Sequence, residues 1–72
     1  MSQIQKAKQE IIDETQEQIK QLDSAIRSAL AESIKLFDCG LVQRSLEAVD
    51  QAQKALIQII ALEDAVKTLG NI

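Results

Sequence analysis

The sequence predicts an all-α fold: an antiparallel two-helix hairpin, coiled-coil-like, able to complete a bundle with a partner or by dimerisation. Three observations predict it. Apolar residues recur at steps of three and four along two long stretches, the mark of amphipathic helices. One glycine-containing break, Asp38-Cys39-Gly40, separates the two stretches. The chain has no Pro and is rich in Ala, Gln, Glu, Lys, Leu and Ile, which favour helix. At 72 residues with one aromatic side chain, Phe37, it has room for a single hairpin domain over 1–72. Domains of this size are marginal alone, so a partner or an oligomer is expected.

The first helix is expected over about residues 3–37. Ser2 and Gln5 fit a capping box at its start. Its apolar stripe runs through Ile4, Ile11, Thr15, Ile19, Leu22, Ile26, Leu30, Ser33 and Phe37, with Ile12 and Ile34 at the margin. Ile4, Thr15, Ile26 and Phe37 stack at intervals of eleven, a period that means a nearly straight helix. Lys8 and Thr15 dilute the stripe, so residues 1 to about 12 are expected to fray or to wait for a partner. The opposite side mixes signs, with Lys6, Glu10, Asp13, Glu17, Lys20, Asp23, Arg27, Glu32 and Lys35, and reads as a solvated face. Asp23 and Arg27 stand at i,i+4 in the favourable order, worth a few tenths of a kcal/mol.

The turn is expected over 38–41, with Gly40 supplying the left-handed conformation that closes a helix. Leu41 restarts the apolar pattern at once. So short a connection makes the helices antiparallel neighbours. It brings Val42, Leu46 and Val49 near Leu30, Ile34 and Phe37. The second helix is expected over about 42–69, stopped by Gly70-Asn71. Its apolar arc is about twice the ~100° that one neighbouring surface uses. One side carries Val42, Leu46, Val49, Leu56, Ile57 and Ile60; the next carries Ala48, Ala52, Ala55, Ile59, Leu62, Val66 and Leu69.

Charge and composition exclude several functions. The formal charge is −3, from 8 Lys and Arg against 11 Asp and Glu. That argues against nucleic acid as a target, because phosphate binding needs clustered cations. The N-terminus has no apolar signal core, and no run approaches the ~20 apolar residues of a membrane span. A cytoplasmic protein without a membrane partner is expected. The single cysteine, which has no partner for an intrachain disulfide, agrees.

No catalytic set is present, and no enzyme is expected. The chain has no His, which removes the usual neutral-pH acid–base group, the serine triad and His-bearing metal motifs. The acidic pairs Asp13/Glu14 and Glu63/Asp64 point apart on a helix and read as surface. Cys39 has an acidic chain neighbour, Asp38, the wrong sign to activate a thiolate. It reads as a structural or incidental loop thiol. No cofactor, metal ligand or phosphate-binding loop is indicated.

What remains is surplus apolar surface on the second helix. If the first helix covers the alanine side, Val42, Leu46, Ile57 and Ile60 are left over; the opposite allocation leaves the alanines. Burying four such side chains is worth ~1.5–3 kcal/mol each, on the order of 6–12 kcal/mol in all. That is comparable to the stability of a whole domain. Ile34, Val42, Leu46, Ile57 and Ile60 are therefore the candidate partner-binding residues. The residues themselves leave open whether the cover is a second copy, in a four-helix bundle, or another protein.

The segments IKQLDSAIRSALAE before the glycine turn and QAQKALIQIIALED after it resemble the small needle co-chaperones of bacterial type III secretion systems, the YscE-like family. The likeness spans roughly Ile19 to Leu62 and is strongest at Ala25–Leu30 and Lys54–Ile60. It implies a non-catalytic, cytoplasmic co-chaperone in a virulence-associated hetero-oligomer. Such a hairpin stabilises a tetratricopeptide-repeat chaperone, and the pair holds a needle subunit soluble before export. The alternative is a homodimeric four-helix-bundle regulator or adaptor. An RNA-binding version of it needs a cationic strip, and Lys20, Arg27 and Lys35 are interrupted by Asp23 and Glu32.

Overall fold

In the computed structural model, which describes residues 3–71, the described residues form two antiparallel helices. Helix α1 spans Gln3–Asp38 and helix α2 spans Val42–Gly70. The proposed capping box begins at Ser2, outside the described residues. The turn is a Schellman motif. Gly40 adopts φ 81°, its N–H donates to the Phe37 carbonyl at 3.0 Å, and the Leu41 N–H reaches back to the Leu36 carbonyl at 2.9 Å. Helix α2 starts without a side-chain cap and is closed by its C-cap Asn71, whose N–H donates to the carbonyls of Lys67 and Thr68. Gly70 thus stays within the helix, and Asn71 makes the stop.

The seam between the helices decides the phase of α1. Its partly and fully buried positions are Lys8, Ile12, Thr15, Ile19, Leu22, Ile26, Ala29, Ser33 and Leu36. These steps of four and three make a heptad repeat, period 3.5, with Ile12, Ile19, Ile26 and Ser33 at position a and the others at d. The eleven-residue stacking expected from the sequence is therefore corrected. Ile4, Ile11, Leu30 and Phe37 lie outside the seam and are exposed, while Ile12 moves from the margin into it. The two periods differ by only ~33° per heptad, three turns in eleven residues against two turns in seven, and a facing helix is what selects between them.

Helix α2 contributes its alanine side. Ser45, Ala48, Ala52, Ala55, Ile59, Leu62, Val66 and Leu69 line the seam, again in heptad order with Ser45 at a. Small residues on both helices near the turn let the backbones approach. Ser45 Oγ donates to the Ser33 carbonyl oxygen across the seam at 2.8 Å, and Ser33 Oγ donates to the Leu30 carbonyl at 2.7 Å. Since the helices run in opposite directions, setting Ser45 against Ser33 sets Ala52 against Ile26, Ile59 against Ile19 and Val66 against Ile12. Ala52 is 2% exposed and Ile26 is 7% exposed; they are the hydrophobic residues that are buried among those described.

The result is a rod of 58 × 15 × 10 Å with a radius of gyration of 16.7 Å. A compact chain of this length would have about 11 Å. Its accessible surface is 5734 Å², whereas a compact monomer of 8.0 kDa exposes about 4,450 Å².

Candidate interaction surface

In an antiparallel pair, the residues just after d on each helix, position e, share one flank, and those just before a, position g, share the other. The grooves along the rod obey this rule. Gln18 and Gln58, both at g, line one groove, as do Glu32 with Arg44 and Gln51. Gln16 and Glu63, both at e, line another.

The e flank is where the surplus goes. Beside the turn, α1 presents Leu30 and Phe37 at e with Ile34 at the adjacent position b. Helix α2 presents Val42, Val49 and Leu56 at e with Leu46 and Ile60 at b. All are exposed. Gln53 completes the row on α2, so no charged residue occupies e or b from Leu30 to Phe37 or from Val42 to Ile60. Further from the turn the same flank turns polar. Lys20, Asp23 and Arg27 on α1 and Glu63 and Lys67 on α2 bound the patch, with Asp23 and Arg27 joined by a 3.0 Å ion pair.

The structure leaves the five candidate residues Ile34, Val42, Leu46, Ile57 and Ile60 between 52% and 64% exposed. It places four of them on one flank. Ile57 stands apart at position f, on the outer surface of α2. The expected neighbourhood of Val42, Leu46 and Val49 with Leu30, Ile34 and Phe37 is a shared flank, not a packed seam. Leu30, Phe37, Val49 and Leu56, outside the five candidates, join the patch. The signal for them was present in the heptad phase, which needed the seam of both helices to be read.

The opposite flank is hydrophilic along most of its length, with Gln18, Glu32, Arg44, Gln51 and Gln58 at g. Among the described residues no group of three or more His, Cys, Asp or Glu is placed to hold a metal. Cys39 is exposed at the turn. No helix among the described residues is long and apolar enough to cross a membrane. Comparison with protein-family models, curated proteins and solved structures gives no match for this chain.

Proposed function

We propose that the chain is a non-catalytic protein-binding hairpin that shields apolar surface on a partner through its uncharged flank beside the turn. The single observation that carries this reading is the flank itself: Ile34, Val42, Leu46 and Ile60 half-exposed or more on one side of a rod, with no charge among them. Contiguous apolar surface of this kind marks interaction sites. An apolar helix laid along two others is a common recognition mode.

The resemblance to needle co-chaperones supplies the partner class. On this reading the flank covers a tetratricopeptide-repeat chaperone in the cytoplasm, and the pair keeps a type III secretion needle subunit soluble before export. The hairpin's role is physical. It removes water from apolar surface on both proteins and stabilises the repeat fold by binding only its folded state.

The test is to mix the purified hairpin with a type III secretion repeat chaperone, with and without its needle subunit. Light scattering gives the mass of any complex, and thermal unfolding gives the chaperone's midpoint. A defined complex with a raised midpoint is expected. A chaperone unchanged in mass and midpoint would remove this partner from consideration.

A further inference from the structure

We infer that, without another partner, the apolar flank is covered by a second copy of this chain, two hairpins stacking with their turns at the same end to make a four-helix bundle. This rests on the geometry of the flank and not on the identity of any heterologous partner.

Area is the first argument. The rod exposes about 1,300 Å² more than a compact monomer of its mass. A stable interface removes about 800 Å² from each partner, which is less than this excess, so the elongated chain has surface enough to cover in one self-contact. Charge is the second. In a two-fold interface each group near the axis meets its own copy or a near neighbour, so a charged flank repels itself. The chain carries −3 overall, yet its e and b positions beside the turn carry none.

The outline of the patch selects the orientation. It is two helices wide beside the turn and narrows to α2 alone, because α1 becomes charged below Leu30. With the turns together, Leu30, Ile34 and Phe37 lie against Val49, Leu46 and Val42 of the second copy. With the turns at opposite ends and the α2 rows overlapped, Leu30 and Ile34 lie against Asp23 and Lys20 instead, and Arg27 meets its own copy. That burial strips water from charges and returns no matching partner. The same flank cannot hold a second copy and another protein at once, so self-association competes with capture of any heterologous partner.

Sedimentation velocity at micromolar concentrations tests the inference. The wild-type chain should sediment as a dimer. Leu46→Asp should be a monomer with its helical circular dichroism retained, and Gln51→Asp, on the other flank, should stay dimeric. Ile34→Asp serves as the second variant if Leu46→Asp loses helicity. A monomeric wild type, or dimers that survive both flank substitutions with helicity intact, would overturn it. For orientation, Thr68→Cys in a Cys39→Ser background takes one spin label far from the turn. Turns together place the two labels within about two helix diameters, ~25 Å. Turns apart place them about 50 Å from each other, at ~1.5 Å per residue from the patch centre, and that distance would overturn the arrangement. A dimer of the expected form alongside a repeat chaperone that binds nothing supports this inference and removes only the proposed partner.

Discussion

Ser45 on α2 donates a 2.8 Å hydrogen bond from Oγ to the backbone carbonyl oxygen of Ser33 on α1. A side chain as short as serine spans the gap only where two helix backbones run close. The residues around this bond explain why they do: Ala29, Ser33, Ser45, Ala48 and Ala52 are all small. The seam near the turn is held by close approach, and further from the turn by larger side chains such as Leu22, Ile19, Ile59 and Leu62.

Substitutions at Ser45 should separate bonding from spacing. Ser45→Ala loses one neutral hydrogen bond but keeps the volume, so a cost of about 0.5–1.5 kcal/mol is expected, reduced by alanine's better helix propensity. Ser45→Leu keeps an apolar seam but forces the helices apart, at about 1–3 kcal/mol. Urea unfolding followed at 222 nm checks both. If leucine proves no worse than alanine, the seam is looser than the hydrogen bond indicates.

Ile26 faces Ala52 near the middle of the seam, and each is buried. Ile26→Ala should cost about 2–5 kcal/mol, toward the lower end because a two-layer rod can relax around a cavity. Leu30→Ala, one helical turn along at position e and exposed, should change stability of the isolated hairpin much less. Equal losses for the two, measured in a background that prevents self-association, would contradict the heptad phase described above.

Gly40 adopts φ 81°, and nothing lies within 4 Å of where a Cβ would stand. Gly40→Ala therefore meets backbone strain without a steric clash, and about 1–2 kcal/mol of destabilisation is expected. Gly40→Asn should recover part of the loss, since asparagine tolerates the left-handed region better. Thermal melts of the three proteins give the order; alanine matching glycine would mean that the turn can rearrange.

Ile57→Asp places a charge on the outer surface of α2, where the side chain is 62% exposed. Helicity should be retained. Partner capture should weaken less than for Leu46→Asp, because Ile57 stands beside the shared flank and Leu46 on it. Circular dichroism at 222 nm and a pull-down of the repeat chaperone report the two effects separately. Wholesale loss of the 222 nm signal in Ile57→Asp would put this residue in the intramolecular seam.

The exposed ion pairs contribute little by comparison. Asp23 with Arg27 and Asp50 with Lys54 are both i,i+4 pairs in water. Pairs of this kind are worth about 0.3–0.5 kcal/mol and fade with added salt. Asp23→Asn should lower the unfolding free energy, measured by urea denaturation, by no more than that.

Residue order alone dictates two helices, where they break, and an apolar arc on α2 wider than one neighbour can cover. Those features follow from helix propensity, one glycine able to take positive φ, and residue spacing, all local to the chain. That Val42, Leu46 and Ile60 share the side of α2 away from its alanines was also legible, but not which of the two sides is left exposed. Which side of α2 packs, and which period α1 follows, emerge from the packing of one helix on the other. A single helix cannot distinguish 3.5 from 3.67 when its stripe includes Thr15, Ser33 and Ala29 as well as Ile4, Leu30 and Phe37. The choice is made by the facing surface: alanines and serines in matching antiparallel heptads allow the closest approach, and that approach turns Leu30 and Phe37 outward to share a flank with Val42 and Val49.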